Sequence, residues 1–135
     1  YKDYTDLALA LDSVRRRWPG AEVLATCATG GRPDMALSVL GLLAGYEDAP
    51  VWIAEDETTA RILHEGESWT IEGAEGKTFS IIAIAPNTEV SEHGPEWELD
   101  HAPLGLLADT GISNVIRSTA MIQVHTGTAI AYLYK

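Results

Sequence analysis

Near Glu55 the hydrophobic pattern of this chain changes period, and that change divides what it can fold into. Before it, apolar residues twice recur at helical spacing, each time followed by a short continuous apolar run. "TDLALALDSVRRRW" carries Leu7, Ala8, Leu11 and Val14 on one helical face. Thr5 or Asp3 can cap its start, and Arg15, Arg16 and Arg17 fall at its end, where cations suit the helix dipole. "PGAEV" breaks the helix, and "EVLATCA", residues 22–28, reads as a continuous apolar strand covered on both faces, as in a parallel sheet. A second helix is expected over about 33–44, with Pro33 in its first turn, and "VWIA" at 51–54 is another short buried strand. Helix, strand, helix, strand predicts right-handed crossovers and a parallel sheet.

After Glu55 come short β-rich runs: "TARILH", "SWTIEG", "KTFSIIAIA", "TEVSEHG", "PEWELD", "TAMIQVH" and "TAIAYLYK". Gly, Pro, Asn and Asp turns separate them at roughly 8–12-residue intervals, the mark of an antiparallel sandwich or barrel. The expected fold class is therefore a partial α/β, Rossmann-like parallel-sheet domain over residues 1–54, followed by an all-β sandwich over 55–135. Two parallel strands do not make an independent sheet of usual size. The first unit is thus expected to be the back half of a doubly wound domain. Tyr1 is not an initiator methionine and a helix begins within a few residues, so a preceding segment is expected in the natural protein.

Composition removes several classes of function. With 135 residues the chain suits one ordinary domain or two small ones, and 46% hydrophobic against 21% charged residues is a globular balance. A formal net charge of −11 with no basic stripe argues against nucleic acid as a partner. No apolar run approaches the ~18 residues of a membrane span, so no membrane partner is expected. Cys27 is the only cysteine, which precludes an intrachain disulfide and fits a reducing cytosol, hence a cytoplasmic location.

Two short stretches carry chemistry. "TGGRPD" follows the first apolar strand, and ligands of open parallel sheets bind beyond the carboxyl ends of the strands. Gly30 and Gly31 allow close backbone approach to a phosphate, the following helix N-terminus favours an anion, and Arg32 suits phosphate oxygens. Asp34 can cap the helix, bind a metal or hold Arg32. The same residues also make an ordinary turn, and by themselves they do not decide between the two. "KDYTD" opens the earlier helix with Asp3 and Asp6 flanking Thr5. Hard carboxylate oxygens beside phosphate-binding groups suit Mg²⁺, while a capping cluster at a helix start is the plain alternative.

In this order, and followed by a β region, these motifs resemble the thiamine pyrophosphokinase (thiamine diphosphokinase) family. That family opens one helix with D-x-T-D and the next with G-G-R-x-D, matched here by "KDYTDLALAL" and "GGRPDMALSVLGLL". Its β domain is matched by "TFSIIAIAPNTEV", "GPEWELDHAPLGL", "GISNVI" and "MIQVHTGTAIAYLY". The resemblance implies transfer of pyrophosphate from ATP to thiamine, giving thiamine diphosphate and AMP. It implies Mg²⁺ as cofactor, Asp3 and Asp6 at metal and active-site positions, and Thr5, Gly30, Gly31, Arg32 and Asp34 at the nucleotide. It also implies a homodimer with Trp97, Ser113 and Asn114 at a thiamine pocket on the subunit interface, Trp97 stacking on the ligand and Ser113 and Asn114 bonding its aminopyrimidine.

The chain departs from that pattern at two points. Met35 stands where bacterial members usually carry histidine, and the upstream acidic string G-D-x-D-S does not occur. This chain alone is therefore expected to be a weak catalyst or none, and a non-catalytic thiamine- or nucleotide-binding fragment or degenerate homologue is the alternative class. A different nucleotide-dependent kinase on the same α/β pattern is a third reading, disfavoured by "GISN" and "EWELD". The remaining conspicuous residues read as structural. Cys27 is expected to pack within its strand, and Trp18, Trp52 and Trp69 to anchor cores. Arg15 to Arg17 read as a solvated helix end, and His64, His93, His101 and His125 as dispersed surface or loop groups.

Overall fold

The computed structural model describes residues 3–135. Tyr1 and Lys2, the latter the first residue of "KDYTD", lie outside the described residues. The chain runs α1 (Asp6–Arg17), β1 (Val23–Thr26), α2 (Pro33–Ala44), β2 (Val51–Ala54), β3 (Thr58–His64) and β4 (Ser68–Ile71). It continues through β5 (Thr78–Ala83), β6 (Thr88–Pro95), β7 (Leu99–Leu104), β8 (Asn114–Thr126) and β9 (Thr128–Tyr134). The helical periods therefore appear where the apolar spacing puts them. Thr5 caps α1 by accepting from the Ala8 amide at 3.2 Å, and Pro33 opens α2.

β1 and β2 pair in parallel, joined by α2, but they do not form a sheet of their own. β2 continues into an antiparallel ladder with β3, and the strand path runs β1-β2-β3-β9-β5-β8-β6-β7, with β4 on β8. β8 turns the corner between two layers. Its Asn114 and Val115 pair with β5, whereas its later residues pair with β4 and β6.

Period-2 alternation then sorts the side chains into two cores. Phe79, Ile81, Leu63, Ala129 and Ala131 of the first layer meet Trp69, Ile71, Val90, Ile116, Ile122 and Val124 of the second. On the other face of the first layer Val51, Ile53, Ala60, Ile62 and Ile130 receive Leu11 of α1 and Leu43 of α2. β3, β5 and β9 lie between the two cores and contribute side chains to both.

Four expectations are corrected. β1 is covered on one face only. Val23 and Ala25 point towards the helices, but Leu24 is 64% exposed because β1 ends the strand path and the second layer does not reach it. β1 also ends at Thr26, so Cys27 lies in the following loop with φ 52° and is exposed rather than packed. Trp18, past the end of α1, is 59% exposed and anchors no core. In the β region "PEWELD" is not one strand: Pro95 ends β6, residues 96–98 form the turn, and Leu99 and Asp100 open β7, which itself carries Pro103. Proline is tolerated there because β7 is the far edge of the path and pairs only with β6.

Candidate functional site

The starts of α1 and α2 come together. Thr5 and Asp6 share one recess of about 210 Å³ with Met35 and Ser38 of α2. The end of "KDYTD" therefore meets the first turn of α2 at Met35, while Gly30, Gly31, Arg32 and Asp34 do not border this recess. Arg32 precedes α2 and turns back on Asp34, Nε donating to Oδ1 at 3.1 Å and Nη2 to Oδ2 at 2.5 Å. Of the three roles open to Asp34, holding Arg32 is the one adopted, and the guanidinium keeps its carboxyl below the usual range. Both side chains are exposed, so a pair of this kind is weakly held and an anionic ligand can compete for the arginine. Gly31 sits at φ +83°, and a Cβ at Gly30 or Gly31 would meet nothing within 4 Å, so the loop is open on that side.

Glu55 is a further member of this loop that the sequence reading missed. Its Oε1 accepts from the Ala28 amide at 2.9 Å, the Thr29 amide at 3.1 Å and the Thr29 hydroxyl at 3.1 Å. Those bonds, the Ala28 amide first, hold its carboxyl below the ordinary glutamate range. The signal was positional. Thr26 registers with Ala54, so the next residue of each strand lies beside the other. A carboxylate thus already occupies the Ala28 and Thr29 donors, leaving the glycine amides and Arg32 for an anion. Asp3 is exposed ahead of α1. Among the described residues no three of His, Cys, Asp and Glu gather as a metal cluster, so the donors here fit a cation only if a ligand's own oxygens complete its shell.

A second recess, of about 90 Å³, lies at the β6–β7 turn and is bordered by Glu92, Trp97, Leu99, Thr110, Ile112 and Asn114. Trp97 is 62% exposed there. Asn114 holds the turn: Oδ1 accepts from the Trp97 amide at 3.1 Å and from Val115 at 2.9 Å, while Nδ2 donates to the Trp97 carbonyl at 2.7 Å. Nδ2 also donates to Glu92 Oε2 at 3.3 Å. The amide is thus committed to Trp97 and Glu92. Ser113, at φ +60°, donates its amide to Ser80 Oγ at 3.0 Å and borders a different recess with Tyr132 and Tyr134. Trp97 and Asn114 are therefore brought together, and Ser113 turns away from them.

Glu92 was not anticipated. It is 0% exposed, its Oε1 has no hydrogen-bond partner, and burial pushes its carboxyl up to about 7. Alternation carried the clue, because Glu92 has the same parity as Val90, opposite Ile122 and Val124. Gly94 shapes the turn that follows. It sits at φ +97° beside a register shift between His93 and Pro95, and a Cβ would fall on the Thr119 carbonyl and 2.8 Å from Ala120 Cα. Gly94→Ala is expected to cost about 2 kcal/mol, read as a lowered urea midpoint. An unchanged midpoint would mean that the turn is not under this constraint.

The histidines are not all dispersed. His101 and His125 stack with ring centroids 4.0 Å apart, and His125 Nε2 lies 2.7 Å from Ser91 Oγ. His64 is half-buried, its Nε2 2.7 Å from the Ala44 carbonyl at the end of α2.

Residues 64–130 match the family model described as "Thiamin pyrophosphokinase, vitamin B1 binding domain". Thiamine pyrophosphokinase 1 of Arabidopsis thaliana is 26% identical over 125 residues, which cover 86% of this chain and 47% of that protein. The chain thus spans about half the length of that curated relative. Among solved structures, thiamine pyrophosphokinase from Bacillus subtilis aligns over 100% of this chain and 65% of its own, with a TM-score of 0.80 at 21% identity. Thiamin pyrophosphokinase from Geobacillus thermodenitrificans does so over 100% and 63%, with a TM-score of 0.80 at 24% identity. At those identities the likeness is one of fold. Over residues 64–130 the chain is thus similar to the vitamin B1 binding domain of thiamin pyrophosphokinases, and its whole length follows the fold of solved thiamine pyrophosphokinases.

Proposed function

We propose that this chain works as part of a thiamine diphosphokinase, transferring pyrophosphate from ATP to thiamine to give thiamine diphosphate and AMP. The observation that carries the reading is the match of residues 64–130 to a vitamin B1 binding domain, with Trp97 held at an exposed turn inside that segment. The α1–β1–α2–β2 segment is read as the closing part of a Rossmann-like ATP-binding unit. A parallel β1–β2 pair joined by α2, with the starts of α1 and α2 sharing a recess and an open glycine loop preceding α2, supports that reading.

In this reaction the thiamine hydroxyl oxygen forms a bond to the β-phosphorus, and the bond from that phosphorus to the oxygen bridging the α-phosphate breaks, releasing AMP. Asp6 is the carboxylate proposed to take the hydroxyl proton. Arg32 leaves Asp34 for the phosphates, where its two-pronged donor set meets charge that grows during transfer. Gly30 and Gly31 offer backbone amides, and Thr5 keeps the start of α1 in place. Asp3 and Asp6 are the residues proposed to hold Mg²⁺ together with the nucleotide's own oxygens, and the ion would supply neutralisation of phosphate charge. Trp97 stacks on thiamine, and Asn114 fixes the Trp97 backbone. Ser113 contributes from the neighbouring recess. The helix-start recess and the Trp97 recess share no lining residue, and a homodimer in which one subunit's Trp97 serves the other subunit's phosphates is proposed with the family resemblance. No described helix is long and apolar enough to cross a membrane, and a cytoplasmic location is proposed with the enzyme reading.

Titration calorimetry with thiamine and a Mg²⁺-dependent AMP-release assay test this function. Thiamine binding is expected of this chain, and AMP formation, only with thiamine, ATP and Mg²⁺ all present, is expected once the chain is joined to an upstream α/β segment of a relative. Binding of neither thiamine nor ATP would sink the reading. Thiamine binding with no ATP consumption, even when the chain is joined to an upstream α/β segment of a relative, would favour the non-catalytic alternative. Trp97→Ala is expected to weaken thiamine binding by about 10- to 100-fold, because stacking and cation–π attraction to the thiazolium are lost together.

A further inference from the structure

Glu92 is an odd residue to find in a sandwich interior. A buried carboxyl normally has each oxygen satisfied, because an unpaired one forfeits its hydration without return. Here Oε2 has the Asn114 amide at 3.3 Å and Oε1 has nothing, yet the side chain borders the recess under Trp97. No charged group faces it among the bordering residues, which are Trp97, Leu99, Thr110, Gly111, Ile112 and Asn114. Across the ladder stands Ile122, and the next residue of β6, His93, is exposed and paired with Glu98. The free oxygen is therefore without an internal partner on every side.

We propose that Glu92 is a specificity-determining residue of the ligand pocket, its free Oε1 accepting a hydrogen bond from the amino group of a cationic aminopyrimidine ligand. This rests on the thiamine reading given above and deepens it. A recess of about 90 Å³ is well below the several hundred that a whole ligand of this size occupies. It takes the edge of one ring, while the rest of the ligand lies against exposed Trp97. That edge carries an amino donor, and the ligand as a whole carries a permanent positive charge. Both favour the ionised carboxyl, so binding draws Glu92 from its protonated form and sends one proton to solvent. Asn114 then has two tasks, placing Trp97 and steadying the Glu92 oxygen that does not meet the ligand.

The test is titration calorimetry of the 135-residue chain with thiamine from pH 6 to 8, in buffers of different ionisation heat. The wild-type chain is expected to release up to one proton per thiamine below about pH 7, with affinity rising roughly tenfold across that range. Glu92→Gln, which keeps shape and the Asn114 contact, is expected to abolish both the proton release and the pH dependence. Oxythiamine, which replaces the amino group by an oxo group, is expected to bind the wild type at least tenfold more weakly than thiamine and to bind Glu92→Gln with little penalty. Far-ultraviolet circular dichroism of Glu92→Gln and Glu92→Leu separates lost folding from lost recognition. Thiamine binding to the wild type with no proton release, matched by Glu92→Gln with undiminished discrimination against oxythiamine, would overturn the proposal and leave the thiamine reading standing. No thiamine binding to the wild type at any pH would overturn that reading, and this proposal with it.

Discussion

Phe79→Ala is expected to lower the free energy of unfolding by about 3–5 kcal/mol. Phe79 is fully buried between the two β layers, and its ring centroid lies 6.5 Å from that of Trp69, which in turn meets Trp52 edge-on at 5.3 Å. Its backbone registers with Asn114 of β8 on one side and Leu133 of β9 on the other, where the first layer hands over to the second. Truncation leaves a cavity among β-branched neighbours that cannot collapse into it without breaking those registers. Since domains of this kind are stable by only about 5–15 kcal/mol, the loss takes a large share of the total. Urea unfolding followed by tryptophan fluorescence reads it directly. A change under about 1 kcal/mol would mean that this core is not packed as described. Because Asn114 sits across from Phe79, the variant is also expected to loosen the Trp97 turn.

Glu92 gives the second large effect, one of pH on the free protein. Its carboxyl ionises at about 4.5 when unfolded and at about 7 when buried. The folded chain thus holds the proton over a range in which the unfolded chain has lost it. The resulting stabilisation is complete below about pH 4.5 and disappears as pH rises through about 7, worth roughly 3 kcal/mol in all. Other carboxylates act with the opposite sign. Glu55, Asp34, Glu98 and Asp100 are held below their ordinary range by donors, so their contributions fade in acid. The clean measurement is therefore a difference: wild-type minus Glu92→Gln stability from pH 5 to 8. That difference is expected to fall by roughly 3 kcal/mol with rising pH. A flat difference would mean that Glu92 is ionised and solvated in the folded chain.

The sites were legible in the sequence to different depths. Arg32 and Asp34 could be singled out because adjacent glycines, a proline and opposite charges at a strand–helix junction have few uses, and the two side chains do meet. Trp97 and Asn114 were found only through the ordered motifs of a family, since neither spacing nor composition links residues 17 apart in sequence. Glu55 and Glu92 were missed. Each looks like one more acid in a chain of net charge −11, and what sets it apart is a partner, or the lack of one, supplied by a distant strand.

Local order determined the elements themselves. Helical spacing placed α1 and α2, a proline and a threonine marked their starts, and alternation with turn residues marked most of the β strands. Those signals depend on neighbours a few residues away, so a sequence displays them. Only the tertiary structure decided that the parallel pair joins the antiparallel ladder, that β1 is an edge with Leu24 bare, and that β7 can hold a proline. It alone decided that a glutamate stands unpartnered beneath Trp97. Edges, coverage and hydrogen-bond satisfaction belong to strands brought together across the whole chain, and no local pattern records which strand arrives beside which.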